Sequence, residues 1–255
     1  MTLLRDSFSA VSARFHLVGL FTLSSLLVRF AAHWMGDDPD WILLVAAAVA
    51  FRFACAGGVL GVLFQAATGG RPSSSFARWA TRLLLPIVWV WVKIIVVVFG
   101  PIGVAVNIYL AINGSATPST RLVETVFWSE PLLELVALVL ALYSFPLCIL
   151  WRTRGEWGPH LRAGWRFLRA CPAESRRLLV LLVAMVALEA AQQWTLGPEG
   201  YKTAPGYAEG LLELTGSYLA LVVFHGATRV VLDRLAAGPR VAPAGAGTAA
   251  PGPFA

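Results

Sequence analysis

Long apolar runs alternate with short polar segments along most of the chain. Each run is long enough to cross a bilayer as a helix, which takes roughly twenty residues. The segments between the runs are rich in Gly, Pro, Asp, Ser and Arg, and these residues favour turns and helix ends. The pattern predicts an all-α, polytopic membrane protein with six transmembrane helices, near residues 16–35, 41–66, 83–112, 131–151, 178–196 and 211–233.

Arginine is distributed unevenly among the polar segments. Most arginines lie in the N-terminus, in residues 67–82, in residues 152–177 and in the C-terminal tail, whereas the other three loops hold only Arg121 and Lys202. Because cytoplasmic loops of membrane proteins carry the excess of positive charge, we predict that both termini are cytoplasmic. An even number of spans agrees with that orientation.

The composition supports a membrane protein. The chain is 58% hydrophobic and 13% charged, and its mean hydropathy is +0.71, whereas soluble domains are about a quarter charged. The net charge of +6 does not indicate nucleic-acid binding, because the basic residues flank apolar runs. Arg outnumbers Lys eighteen to two, and Ala, Gly and Pro are frequent, as in GC-rich bacterial genomes. We therefore expect a bacterial cytoplasmic (inner) membrane protein.

The two ends of the chain differ in character. The first apolar run has no convincing small-residue cleavage site, so we predict an uncleaved first span and not a signal peptide. Residues 238–255 are Ala/Pro/Gly low complexity and are predicted to be disordered. The predicted division is a six-helix membrane domain, residues 1–237, followed by this tail.

Basic, aromatic segments precede three of the predicted spans. "SFSAVSAR" at 7–14 and "SFARWATR" at 75–82 share Ser-Phe and an Arg seven residues after the Ser, and residues 160–177 have the same position before the fifth span. We predict three repeated helical hairpins, each with a cytoplasmic amphipathic segment.

The third of these segments has two interpretations. Leu161, Trp165 and Leu168 form one apolar stripe with arginines beside it. One interpretation is a helix that lies in the membrane interface. The other is an ordinary cytoplasmic loop whose arginines follow the positive-inside rule. In the first case anionic lipid head groups would contact Arg162, Trp165, Arg166 and Arg169.

Ionisable residues also lie well inside the predicted spans. Arg52, Lys93 and Glu189 each lie roughly 15 Å from an end of their span, near the midplane of a core about 30 Å thick. A central Lys or Arg costs roughly 2.5–3.5 kcal/mol on insertion, so these side chains should face the bundle interior. We expect Glu189 to pair with Lys93 or Arg52.

Other polar residues share the helix faces of these charges. Pro86, Lys93, Gly100 and Asn107 form one stripe of the third span, and two glutamines follow Glu189 on its face. In the second span, the Gly57 and Gly61 pair predicts close helix packing. The candidate binding cluster comprises Arg52, Lys93, Asn107, Glu189, Gln192 and Gln193.

Two interpretations of this cluster remain open. As a binding site it would suit an anion, because basic groups outnumber acidic ones at that depth. As a structural feature it would be a buried ion pair that determines which helices meet.

Motifs of common catalytic classes are absent from the sequence. There is no HExxH motif, Walker loop or dinucleotide fingerprint. The three cysteines form neither a metal-binding spacing nor a disulfide framework. We expect a protein without enzymatic activity, cofactor or bound metal.

Two stretches resemble a known group of proteins. "DSFSAVSARFHLVGLF" at 6–21 and "GRPSSSFARWATRLLLP" at 70–86 each carry a Ser-Phe-containing amphipathic segment into a span. In this the chain resembles bacterial six-span membrane proteins, including YciC-like proteins and the membrane domain ahead of some glycerophosphodiester phosphodiesterases. The resemblance implies the six-span architecture and assigns no site residues.

These observations lead to three functional hypotheses. The first is a transporter-like or lipid-handling bundle with a polar centre at the midplane. The second is a non-catalytic structural or accessory subunit that binds another membrane protein or a second copy. An intramembrane enzyme is the third. The expected partners include anionic lipids on the cytoplasmic side and exclude nucleic acid.

Overall fold

The computed structural model describes residues 2–35, 42–69, 75–113, 119–156, 158–196 and 206–237. In these residues there are eight helices and no strand, so the all-α prediction is confirmed. Residues 238–255, which were predicted to be disordered, lie outside the described part. The helices are α1 (Thr2–Ser12), α2 (Phe15–Met35), α3 (Ile42–Ala67), α4 (Phe76–Asn113), α5 (Thr120–Thr153), α6 (His160–Ala170), α7 (Pro172–Leu196) and α8 (Tyr207–Ala236).

Four helices are long and apolar enough to cross a membrane. They are α2 over Phe15–His33, α3 over Ile42–Ala67, α4 over Phe76–Ile112 and α5 over Trp128–Thr153. These helices correspond to the first four predicted spans. The other two predicted spans form α7 and α8, of 25 and 30 residues. That α7 and α8 also cross the membrane, that the hairpins are repeats and that both termini are cytoplasmic stay predictions.

Glycines allow α3 and α4 to pack closely. A Cβ atom on Gly57 would lie 3.2 Å from the carbonyl oxygen of Ala80, and one on Gly61 would lie 2.5 Å from the Trp79 ring. The close packing predicted for these two glycines is confirmed. Its partners belong to residues 75–82, so nearly all of this basic, aromatic segment forms the first turns of α4.

The helix α5 lies at the centre of the bundle and contacts α4, α6, α7 and α8. Residues 141–151 of α5 are all buried. The hydroxyl groups of Tyr143 and Ser175 are 2.9 Å apart, which ties α5 to the start of α7. The ring of Phe167 in α6 packs on the Tyr143 ring, with centroids 5.9 Å apart.

The short helix α1 packs on α8. The Ser12 and Tyr218 hydroxyls are 2.7 Å apart, and Ser7 Oγ lies 3.2 Å from Nδ1 of His225. The Val11 side chain is buried in the core. The first basic, aromatic segment is therefore largely a helix folded onto the bundle.

The short helix α6 packs on α5 with a face that differs from the predicted apolar stripe. Its buried residues are His160, Ala163, Gly164 and Phe167, and a Cβ atom on Gly164 would lie 2.8 Å from Ser144 Oγ. Of the predicted apolar stripe, Trp165 is exposed and the two leucines are half-buried, and its contact with the membrane interface stays a prediction. The four candidate lipid contacts share the exposed face: Arg162, Trp165, Arg166 and Arg169.

We predict that Gly61→Ala destabilises the protein by about 1–3 kcal/mol, because the new methyl group overlaps the Trp79 ring. The matched control is Gly103→Ala in α4, where a Cβ atom meets nothing within 4 Å. Alanine favours a helix more than glycine does, so this control should be neutral or stabilising. Thermal unfolding in detergent micelles measures both, and equal melting temperatures would contradict close packing at Gly61.

Candidate functional site

A cavity of about 450 Å³ opens among α2, α3, α5, α7 and α8, with one residue of α4 at its wall. We call it the charged cavity, because seven ionisable side chains of the described residues line it. Five are carboxyl groups and two are guanidinium groups. They are Arg29 of α2, Arg52 of α3, Glu130 and Glu134 of α5, Glu189 of α7, and Glu209 and Glu213 of α8.

The charged cavity lies toward one end of the bundle. Arg29 is six residues before the end of α2, and Glu213 is six residues after the start of α8, so each is roughly 9 Å from its helix end. Arg52 is ten residues into α3, roughly 15 Å from its start. The helix α6 follows the end of α5, at the opposite end of the bundle.

An ion pair joins two of the walls. Arg29 Nη1 lies 3.7 Å from Glu213 Oε2, and these side chains are 33% and 23% exposed. Partly exposed pairs of this kind contribute about 0–1 kcal/mol in water. The pair therefore contributes little to the stability of the fold, and its main effect is to neutralise one carboxylate of the cavity.

Neutral groups hold the second guanidinium. Nη1 of Arg52 donates hydrogen bonds to the carbonyl oxygen of Phe21, at 3.0 Å, and to Ser24 Oγ, at 3.2 Å. The guanidinium carbon lies 3.7 Å from the centroid of the Phe21 ring, a cation–π contact. Among the described residues Arg52 makes no ion pair, and Glu213 is a carboxylate within its electrostatic reach.

Two carboxyl groups from different helices line the cavity near each other. Glu134 of α5 and Glu189 of α7 lie within electrostatic reach of each other. Glu130 and Glu213 are further carboxylates within electrostatic reach of Glu134. We call Glu134 and Glu189 the carboxyl pair.

Two residues of α8 complete the polar lining. Glu209 is buried, and its Oε2 accepts a hydrogen bond of 3.1 Å from the backbone N–H of Gly206, which caps the start of α8. Ser217 is 5% exposed and lines the cavity. In the described part of the chain its hydroxyl group has no hydrogen-bond partner. Glu209 therefore has a structural role, whereas the Ser217 hydroxyl is available to a ligand.

The structure brings together Arg52 and Glu189 of the predicted binding cluster, as walls of one cavity. It does not bring Lys93 there. The Lys93 ammonium lies 5.1 Å from the Trp89 ring, one turn earlier in α4, because helical side chains point toward the helix N-terminus. Asn107 is exposed and donates to the carbonyl oxygen of Gly103, at 2.7 Å. The side chains of Gln192 and Gln193 lie outside the described residues.

The expected ion pair of Glu189 with Lys93 or Arg52 is not formed. Glu189 lies within electrostatic reach of Glu134, and Arg52 is held by Phe21 and Ser24. Glu189 was the acidic residue predicted for the binding cluster, and the other four carboxyl groups of the cavity were not predicted. A signal was present: Glu130 and Glu134, like Glu209 and Glu213, are spaced four apart on helices that share this end.

The balance of charge in the cavity reverses the predicted ligand. The sequence favoured an anion because basic groups outnumbered acidic ones at depth. Among the described residues that line the cavity, five carboxyl groups face two guanidinium groups, which gives these side chains a formal charge of −3 when all are ionised. A cation therefore fits the cavity better than an anion does.

Comparison with known proteins adds no relative. No family model matches the chain, and neither the curated proteins nor the solved structures include a match. In the described part of the chain, no three His, Cys, Asp or Glu side chains converge to hold a metal ion. The function therefore has to be argued from the charged cavity.

Outside the four candidate spans, His160 of α6 provides a pH-dependent contact with α5. Its ring stacks on Trp151 with centroids 5.0 Å apart, and its buried Nδ1 has no hydrogen-bond partner among the described residues. Burial, together with the nearby charge of Lys93, lowers the pKa of His160 from 6.5 to about 4. The neutral imidazole is therefore the form that fits this site.

We predict that His160 makes the fold less stable as the pH falls from about 6.5 to 4. In this window the unfolded chain binds a proton that the folded chain excludes, which costs about 2 kcal/mol at pH 5. His160→Gln should reduce the loss of unfolding free energy between pH 7 and pH 5 by about that amount. Chemical denaturation in micelles measures it, with exposed His16→Gln as the control. An unchanged pH dependence in His160→Gln would contradict this assignment.

Proposed function

We propose that the protein is a transporter-like bundle of a bacterial inner membrane that takes a small, positively charged solute into the charged cavity. This proposal rests on one observation: among the described residues, five carboxyl groups and two guanidinium groups line the same cavity. With both termini cytoplasmic and six spans, this cavity would open toward the outside. Cations would enter from that side and bind between α5, α7 and α8.

The size of the cavity suits a small molecule. Its volume of about 450 Å³ falls within the range of roughly 300–1,000 Å³ usual for ligand pockets. A structural ion pair would need close contact between opposite charges, whereas neither Glu134 nor Glu189 forms an ion pair with Arg29 or Arg52. These two carboxyl groups support a binding role over the structural one.

The two arginines have distinct parts in this proposal. Arg29 neutralises Glu213 at the wall between α2 and α8. Arg52 lies deeper, near the middle of α3, and is held on the Phe21 ring. A fixed positive charge at that depth would repel a cation and set the inner limit of the site.

The test uses two probes that have the same number of carbon atoms and opposite charge. We expect 1,4-diaminobutane to bind the detergent-solubilised protein and succinate not to bind, as measured by calorimetry. Glu134→Gln and Glu213→Gln should each weaken the diamine by about tenfold or more, that is by about 1.4 kcal/mol. Exposed Glu156→Gln, between α5 and α6, is the control. Equal binding of succinate, or unchanged affinity in both variants, would contradict a cation site.

A second function, binding to another membrane protein, is favoured by the length of α4. Its 38 residues extend roughly 57 Å, which exceeds a hydrocarbon core of about 30 Å. The part of α4 after Pro101 exposes Val104, Ile108 and Ile112 on the helix surface. A photo-crosslinker at position 108 would give one discrete protein adduct in cells if this stripe binds a partner. A crosslinker at exposed Val180 of α7 is the control.

We also propose that anionic lipid head groups contact the exposed face of α6. The opposite face of this helix is occupied by α5, so the arginines point away from the bundle. The Arg169 guanidinium lies 5.1 Å from the Trp165 ring, which pairs a cation with an aromatic side chain suited to a membrane interface. In the six-span arrangement this face lies on the cytoplasmic side.

A further inference from the structure

The charges of the charged cavity are divided between two walls. Arg29 and Arg52 belong to α2 and α3, which pack on each other. The five carboxyl groups, including the carboxyl pair, belong to α5, α7 and α8, which also pack on one another. Among the described residues, one wall of the cavity is therefore basic and the other acidic. A ligand that carries only positive charge would bind to the acidic wall alone.

The two walls are joined by the ion pair of Arg29 and Glu213, 3.7 Å apart. This pair leaves Arg52 as the guanidinium of the basic wall that forms no ion pair within the described residues. Arg52 lies inside a candidate span, where a charge is costly unless an opposite charge or water accompanies it. A carboxylate on the ligand would supply that opposite charge.

The hydrogen bonds of Arg52 leave one edge of its guanidinium open. A guanidinium has five N–H donors in a planar fork. The bonds to the Phe21 carbonyl oxygen and to Ser24 Oγ both come from Nη1. In the described part of the chain, Nε and Nη2 donate no hydrogen bond. These two nitrogens form the edge that binds a carboxylate through two parallel hydrogen bonds.

Apolar side chains also line the cavity and suit the carbon chain of a small solute. They include Trp91 of α4, Leu138 of α5 and Met185 of α7. Arg52 is half-buried and lines the same cavity. A solute with ammonium groups and a carboxylate joined by a short carbon chain therefore matches three kinds of lining: acidic, apolar and basic.

We infer that Arg52 binds a carboxylate of the solute, and that the cavity selects cationic amino acids, which carry two ammonium groups and one carboxylate. The inference rests on the proposed cation site and adds the second group that the solute carries. The ammonium groups bind to the acidic wall, and the carboxylate accepts hydrogen bonds from Nε and Nη2 of Arg52. The guanidinium that repels an ammonium group at this depth then attracts the other end of the solute.

The first test compares two ligands on the unaltered, detergent-solubilised protein by calorimetry. Ornithine is 1,4-diaminobutane with a carboxylate added to one terminal carbon, so the two ligands differ in that group alone. We expect ornithine to bind about tenfold or more tightly than the diamine, because the carboxylate gains charged hydrogen bonds. Ornithine binding no tighter than the diamine would overturn the inference and leave the cation site intact. Absence of binding by both ligands would contradict the cation site and the inference together.

The second test assigns the preference for ornithine to Arg52. Arg52→Gln should weaken ornithine by about tenfold or more, and it should leave diamine binding equal or tighter, because a repelling charge is removed. Retained diamine binding shows that the variant is folded. Arg52→Lys keeps the charge without the planar fork and should retain only part of the preference. Exposed Arg5→Gln in α1 is the control and should retain all of it.

A preference for ornithine that survives Arg52→Gln would overturn the role of Arg52. If Arg52→Gln bound neither ligand, Arg52→Lys would decide, and an unreduced preference in that variant would overturn the two-bond contact.

Discussion

The cost of placing charge in a lipid-facing helix underlies the arrangement of this bundle. Arg29 and Arg52 lie inside candidate spans, and Glu134 lies inside a third. Such groups are tolerated where they face one another or water and are expensive where they face hydrocarbon. The charged cavity meets this constraint, because it brings seven ionisable side chains from five helices to one end of the bundle.

Much of the architecture could be predicted from hydropathy. The helical class, both ends of α2 and α3, the last residues of α4 and α5 and the close contact at Gly57 and Gly61 follow from local patterns, whereas α4 and α5 begin well before their predicted spans. The partners of each charge did not follow, because the sequence does not contain the order of helices around the bundle. Lys93 shows this limit: its depth suggested a counter-charge across the bundle, and its side chain instead lies near Trp89.

The two ends of the bundle differ in how they are built. At one end, α1 and α6 fold onto α8 and α5 through small or hydroxyl side chains such as Ser7 and Gly164. At the other end, polar side chains surround a cavity. One end is thus closed by packing, while among the described residues the other end holds more carboxyl than guanidinium groups around a cavity, as the proposed binding role requires.

Water access to the charged cavity is the most direct measurement. A cysteine at Ser25, which lines the cavity, changes none of its charges, and the three native cysteines are buried. We expect Ser25→Cys to react in intact membranes with a membrane-impermeant thiol reagent, and 1,4-diaminobutane to slow the reaction. A cysteine at fully buried Ser144 should not react. If the cysteine at position 25 reacted with the reagent as slowly as the cysteine at position 144, the cavity would be closed to water, and its charged side chains would have a structural role instead of a binding role.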